Sequence, residues 1–436
     1  MSENPFSHIA VLGAFGKMGS GISLIVLAAM AENELSLTGK LGNYRLHLVD
    51  ANDAVYAEVL IKIRKHLRDF AEKNIQTIRK SFSTRKDLVE NHEIVDEFIN
   101  GAIACIRVTS DCNTIKKCHL VFEAVSENMD LKIKLFTSIK NNCENTPMFL
   151  TNTSSIPIAE LANKTGLEGL IIGYHFYNPP QKQKLVELVV PINTNQVLKE
   201  TTELLTKCLR KTTVPSNDVA GFIGNGHFMR EILEADKMVG SNYERIPVLD
   251  GITRDFLIRP MGIFQLIDYV GLDVCQSILK VMSKYLNKEL NSPLINLYMA
   301  EGIKGGQNPD GSQKNGFFQY EKYKISGYYS ISKKGYEVLP LTDYKKSATS
   351  IFQNYASWKT IIAQTPEAKN SYFSEYFKSL FSSPNKDAQE ACLYLKSSRK
   401  IAEDLITDQV AANIEDVNKV LTLGFQHAFG PGNKYY

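Results

Sequence analysis

The sequence predicts an α/β first half, a doubly wound and mostly parallel sheet, followed by an all-α remainder. Three observations predict it. Short, largely apolar runs alternate with helical stretches over the first half of the chain, the order parallel strands need because each must be reached by a crossover. The first of these runs enters a helix through a glycine-rich turn. From about Asp218 onward the pattern turns helical.

Taken in order, HIAVLGAFGKMGSGISLIVLAAMA reads as strand, turn and helix. Ile9 to Leu12 is the strand, Gly13, Gly16 and Gly19 form the turn, and the helix runs without a breaker to about Glu32. RLHLVD is a second strand that ends in Asp50. This is the pattern of a Rossmann-type dinucleotide-binding unit. The glycines let the backbone approach a pyrophosphate, and the helix N-terminus supplies amides and a partial positive charge. Asp50, at the carboxyl end of the second strand, is placed to accept from ribose hydroxyls and would repel a 2′-phosphate, so the cofactor read here is NAD. The spacing is G-x-x-G-x-x-G rather than G-x-G-x-x-G, and the segment from helix to second strand is long; a plain strand–turn–helix is the competing reading. Residues 53–79 carry Val55, Val59, Ile63, Leu67 and Phe70 at helical spacing. Ile103 to Val108, Leu120 to Ala124, Met148 to Leu150 and Leu170 to Phe176 are the further strands.

His175 and Glu187 lie in two apolar runs that read as strands, with an NPP turn from Asn178 to Pro180 starting the link between them. An unpaired carboxylate is costly to bury. On adjacent strands, Glu187 would fix the tautomer of His175 and steady its positive charge when the other ring nitrogen accepts a proton. A purely structural His–Glu pair is the alternative. The surrounding residues carry a resemblance. NTSS (Asn152 to Ser155), GYHFYNP (Gly173 to Pro179), KLVELV (Lys184 to Val189), EAVSEN (Glu123 to Asn128), DVAGFIGN (Asp218 to Asn225) and RPMGIFQLIDYVGLD (Arg259 to Asp273) resemble segments of the 3-hydroxyacyl-CoA dehydrogenase family. The resemblance implies that His175 is the general base and Glu187 its orienting carboxylate. It implies that Ser154 and Asn225 hold the substrate oxygen and the base. Glu127, Lys132 and Asn178 become cofactor contacts beside Asp50, and Lys73 a contact to coenzyme A. Three departures stand out: His66 where a small hydroxyl residue is usual, Gly226 where arginine is usual, and the polar Gln181 to Gln183 in place of an apolar stretch.

The expected domains are 1–215, Rossmann-type; 216–335, the helical C-terminal domain of that family; and 336–436, a second, degenerate helical repeat. Helices are expected over 219–240, 261–286 and 293–302, an extended connector over 303–345, and helices again to about 425. Arg399 to Gly432 resembles Met229 to Phe264 in its order of helix, break and helix, as in the multifunctional fatty-acid oxidation enzymes, which the chain also resembles. The expected function is NAD-dependent oxidation of (S)-3-hydroxyacyl-CoA. Two readings stand beside it: a dehydrogenase of a free hydroxy acid or sugar acid, and an inactive NAD-binding scaffold. The net charge of +3, from 50 basic and 47 acidic residues, points away from nucleic acid and membrane surfaces. No run reads as long enough to span a bilayer, and the first strand begins too early to leave room for a signal peptide. The seven cysteines are scattered without a CxxC pair, which suggests reduced thiols and a cytoplasmic or organelle-matrix setting, with cytoplasmic the setting expected; no metal site is expected. The partners expected are an acyl-CoA substrate and, in place of a second subunit, an internal pseudo-dimer of helical domains, with a homodimer as the alternative.

Overall fold

The computed structural model describes residues 4–52, 55–308, 311–321, 324–339, 348, 352 and 354–436. The chain divides into two compact units, Met1–Asp218 and Val219–Tyr436. The first boundary lies close to the expected one, and the expected division near residue 335 falls inside the second unit.

The first unit is built on an eight-stranded sheet of order β3-β2-β1-β4-β5-β6-β7-β8. Its strands are β1 His8–Leu12, β2 Arg45–Val49, β3 Ile106–Thr109, β4 Leu120–Glu123, β5 Met148–Thr151, β6 Ile171–Phe176, β7 Leu185–Val189 and β8 Thr212–Ser216. Neighbours are parallel except β6 and β7, which run antiparallel. The order reverses between β1 and β4, and ligands of open α/β sheets bind at such a switch point. Helix α1, Lys17–Thr38, is apolar on nearly every side because it is a core helix. By length and composition it could cross a membrane, contrary to the sequence reading, but its most apolar window is 67% buried. The long segment after it is tied down by Glu34, a buried carboxylate that accepts the amides of Asn43 at 2.7 Å, Gly42 at 3.2 Å and Tyr44 at 3.3 Å.

Two sequence expectations change here, and one strand is added. The helix expected over 53–79 is two helices, α2 Tyr56–Lys73 and α3 Ile75–Ser81, broken where the Asn74 side chain donates to the Phe70 carbonyl at 2.7 Å; its first residues, 53 and 54, lie outside the described residues. Ile103 belongs to helix α4, Asn91–Ala104, and β3 begins only at Ile106. The Glu90–Glu93 capping box and the buried stripe Ile94, Val95, Phe98, Ile99 and Ala102 hold that helix to its end. Strand β8 carries no long apolar run, since of TTVPS only Val214 and Ser216 are buried, so periodicity gave no sign of it. Helices α5 Met129–Asn142, α6 Ile158–Thr165 and α7 Gln196–Cys208 complete the unit. Asp218 caps α6 by accepting the amides of Ile158 and Ala159, each at 2.6 Å.

The second unit opens with α8 Phe222–Val239, α9 Ile246–Asp255, α10 Ile263–Val270, α11 Leu272–Leu286 and α12 Pro293–Ala300. The helix expected over 261–286 is interrupted at Gly271, whose φ of 111° only glycine adopts readily. The expected connector over 303–345 is corrected. It contains a three-stranded antiparallel sheet, β9 Phe318–Glu321, β10 Lys324–Ser330 and β11 Gly335–Val338. Its entry is pinned by the buried Asp268 carboxylate, which accepts the amides of Phe317 at 2.7 Å and Phe318 at 2.9 Å and the Tyr320 hydroxyl at 2.9 Å. The all-α expectation for this half is therefore incomplete. Residues 340–345 of the expected connector lie outside the described residues.

The tail supplies α13 Trp358–Ile362, α14 Pro366–Ser382, α15 Lys386–Thr407 and α16 Ile414–Leu423. Helix α15 packs along α8. A Cβ on Gly226 would stand 3.0 Å from Leu405 Cδ2, so the glycine lets the helices approach. Helix α8 runs through it unbroken. His227 Nε2 meets the Ser398 carbonyl at 3.1 Å, Arg230 pairs with Asp408 at 2.6 Å, and Leu395, Ile401, Leu405 and Val410 are buried. One apolar cluster runs from Ala220 to Leu395, so tail and first helices share a core.

Candidate active site

The nucleotide end is set by the glycine turn. Gly13 has φ 71°, and a Cβ there would sit 2.7 Å from the Ala124 carbonyl oxygen of the neighbouring strand's exit. A Cβ on Gly19 would collide with the Gly13 carbonyl oxygen. Gly16 is the N-cap of α1 and provides no side-chain cap, which leaves the first amides for an anion. Asp50 Oδ2 accepts the Phe15 amide at 2.9 Å, and Oδ1 the Asn52 amide at 3.0 Å, so the carboxylate also braces the turn. A cleft of about 370 Å³ lies here, lined by Gly13, Gly16, Asp50, Ser110, Ala124 and Val125 among others. Ser110 and Val125 had no sequence signal beyond following strand ends. The close-packed glycines, the uncapped helix and the acid fit a dinucleotide carrying free ribose hydroxyls.

Glu127 and Lys132 are joined to a residue that sequence reasoning passed over. Glu123 ends β4, is fully buried, and takes Lys132 Nζ at 2.6 Å, Thr151 Oγ1 at 2.5 Å and the Val125 amide at 2.8 Å. Lys132 also reaches Glu127 at 3.4 Å. Burial alone would lower the lysine pKa, but the two carboxylates hold it above its usual value. Lys132 is 1% exposed. Its ammonium is enclosed between the Glu123 and Glu127 carboxylates. Glu127 Oε1 accepts from Thr153 Oγ1 at 2.6 Å, Ser155 Oγ at 2.9 Å and the amides of Ser154 and Ser155 at 3.0 Å. That network fixes the turn carrying Ser154, which is half-buried; the N-cap of α6 is Pro157, so Ser154 is not a cap.

His175 and Glu187 are directly opposed residues in the β6–β7 ladder. His175 Nδ1 lies 3.2 Å from Glu187 Oε2, and Glu187 is fully buried. Tyr177, which sequence reasoning did not single out, donates its hydroxyl to the same Oε2 at 2.6 Å. Burial and the adjacent carboxylate push the phenol pKa well above its ordinary value, so it stays protonated. Strand parity was the available signal, because residues two apart point to one face. Asn152 Oδ1 accepts the Phe176 amide at 2.8 Å and ties β6 to the Ser154 turn.

Asn178 is half-buried just past β6. The Gln181 to Gln183 segment is clamped by Lys211, whose ammonium donates to the carbonyls of Pro180 at 2.6 Å and Gln183 at 2.7 Å. Burial lowers the Lys211 pKa to about 8. His66 is half-buried on α2, and its pKa is lowered by burial and by the nearby charges of Lys211 and Lys73. Lys73 is exposed in the last turn of α2, and the Asp69 carboxylate opposes the effect of the two lysines on His66. Asn225 belongs to the second unit. It is half-buried in the opening turns of α8, whose N-cap is Gly221, so Asn225 is not a cap. Among the described residues no cluster of three or more histidine, cysteine or acidic side chains could hold a metal.

Residues 8–219 match the family model described as the 3-hydroxyacyl-CoA dehydrogenase NAD binding domain, and residues 221–315 match the C-terminal domain of the same family. The chain is 28% identical over 317 residues to a probable 3-hydroxybutyryl-CoA dehydrogenase of Bacillus subtilis, covering 72% of this chain and 98% of the relative. It is 30% identical over 273 residues to the mitochondrial hydroxyacyl-coenzyme A dehydrogenase of Mus musculus, covering 62% and 78%. FadB2 of M. tuberculosis superposes with a TM-score of 0.54 at 26% identity, covering 69% of this chain and 95% of that one. The 3-hydroxybutyryl-CoA dehydrogenase of Escherichia coli K12 superposes with a TM-score of 0.61 at 19% identity over 98% and 90%, a likeness of fold that extends through the tail.

Proposed function

The chain belongs to the 3-hydroxyacyl-CoA dehydrogenase family and is an NAD-dependent oxidoreductase, and we propose that it oxidises (S)-3-hydroxyacyl-CoA thioesters with His175 as general base. NAD supplies the hydride acceptor. The observation that carries the reading is the opposition of His175 Nδ1 to the buried Glu187 carboxylate at 3.2 Å. With Nδ1 engaged by a carboxylate, Nε2 is the nitrogen that takes the hydroxyl proton, and the imidazolium that results is stabilised. Ser154, on the turn braced by Glu127, holds the substrate oxygen as it becomes a carbonyl. Gly13, Gly16, Gly19 and Asp50 hold the cofactor, with Glu127 and Asn178 toward its nicotinamide end. Lys73, exposed on α2, supports recognition of the phosphates of coenzyme A. All seven cysteines are free thiols, which supports a reducing compartment such as the cytoplasm.

The test is NADH formation with 3-hydroxybutyryl-CoA, a longer-chain 3-hydroxyacyl-CoA and free 3-hydroxy acids. Turnover with the thioesters and none with the free acids is the expected result. Turnover confined to free acids overturns the thioester reading and leaves the dehydrogenase chemistry in place.

A further inference from the structure

We propose that Tyr177 is a positioning residue that sets how strongly Glu187 holds the imidazole of His175; the proposal rests on His175 being the base. The geometry is specific. Tyr177 Oη and His175 Nδ1 both address Glu187 Oε2, at 2.6 Å and 3.2 Å. A carboxylate oxygen has lone pairs for two donors, and here the shorter bond belongs to the phenol. The two rings lie with centroids 5.1 Å apart at 47°, so neither can move on the shared oxygen without disturbing the other. Glu187 and Tyr177 are both buried, which makes water a poor substitute for either donor.

The consequence is a division of charge. Negative charge on Oε2 that is neutralised by the phenol is not offered to the imidazole. Tyr177 thus tempers the pull of Glu187 on the imidazole. Of the described groups, His175 on β6 and Tyr177 just past it face Glu187 from one side, while β8 presents the uncharged Val214 on the other. Glu127 and Lys132 are paired with each other, and Glu127 is held at the turn after β5. A phenylalanine at 177 would fill the same space and remove the phenol donor from Oε2.

The experiment uses the full chain with Tyr177→Phe. The acid limb of kcat/KM for oxidation is expected to move up by about half a unit to one unit, the weight of one hydrogen bond to a charged group. Below the limb, activity falls by roughly 3- to 10-fold, while the alkaline plateau changes little. The His175 ring, followed by NMR in the full chain, should show the same upward shift of its titration midpoint. In a Glu187→Gln background the same substitution should shift neither, because Tyr177 acts through the carboxylate. A fluorinated tyrosine at 177, a stronger donor on the same ring, should move limb and midpoint downward. An unmoved midpoint in both the phenylalanine and the fluorotyrosine proteins, or an equal shift without Glu187, overturns the proposal. A midpoint that moves while the kinetic limb does not would retain Tyr177 as the tuning group and remove His175 as the base.

Discussion

At the scale of single residues, the site depends on which groups are buried together. Glu187 is fully buried, and His175 and Tyr177 both address its Oε2. His175→Gln is expected to leave the fold and NAD binding intact and to lower turnover by roughly 100-fold or more, the usual scale of a lost general base; near-native turnover with the preferred thioester would remove His175 from the chemistry. Glu187→Gln should be strongly impaired as well, since a neutral amide stabilises the imidazolium less. Asp50, the proposed charge toward the cofactor, also accepts the Asn52 amide at 3.0 Å and the Phe15 amide at 2.9 Å. Asp50→Asn keeps a carbonyl oxygen for that amide and removes the charge. The preference for NAD over NADP, as a ratio of kcat/KM, is expected to narrow by about tenfold, equivalent to ~1.4 kcal/mol. An unchanged ratio would place the discriminating charge elsewhere.

At the scale of elements, close approach is what the glycines provide. Gly226 admits Leu405 of α15 to the surface of α8, and the arginine usual in the family has no volume there. Gly226→Arg should therefore lift α15 from α8. Overpacking of this kind costs about 1–3 kcal/mol or more, and the measurable outcome is a lower Tm with earlier proteolysis in the tail. A variant with wild-type Tm and protease resistance would mean that α15 is not seated at Gly226 in solution. The glycine turn is under the same constraint more severely, since its obstructing atom is the Gly13 backbone and not a side-chain tip.

At the scale of the whole molecule, the second unit joins tail and helical region through buried polar groups. Arg259 forms two bonds with Glu231, at 2.8 Å and 2.9 Å, and Arg259 lies beneath the Tyr394 ring. His227 and His427 are buried beside this pair, and burial lowers the pKa of both, that of His427 well below its ordinary value. In the unfolded chain both rings protonate below a pKa of about 6.5. The folded state binds fewer protons, so this contribution to stability is complete above that pH and is lost as pH falls through the folded values. Each ring contributes a slope of up to ~1.4 kcal/mol per pH unit. Tm should drop between pH 7 and pH 5, and His427→Phe should flatten the slope; a flat wild-type curve would show that the rings titrate normally. Removing residues 340–436 strips the cover from α8 and should yield protein that self-associates. Truncated protein that stays soluble, monomeric and equally stable would make the tail a separate module.

Local chain chemistry determined a definite part of this protein. Apolar runs of strand length, the spacing of Gly13, Gly16 and Gly19, and Asp50 closing β2 follow from backbone geometry between near neighbours, so they were legible without a fold. The pairing of His175 with Glu187 was legible too, because an antiparallel link of that length leaves few registers and a buried acid must find a partner. Other features depended on groups distant in sequence meeting at a particular register. These are Lys132 closed between Glu123 and Glu127, Tyr177 sharing an oxygen with His175, the sheet of residues 318–338 pinned by Asp268, and Leu405 seated on Gly226. None has a periodicity of its own, because each exists only when burial removes water from both partners at once, and that is decided by tertiary packing.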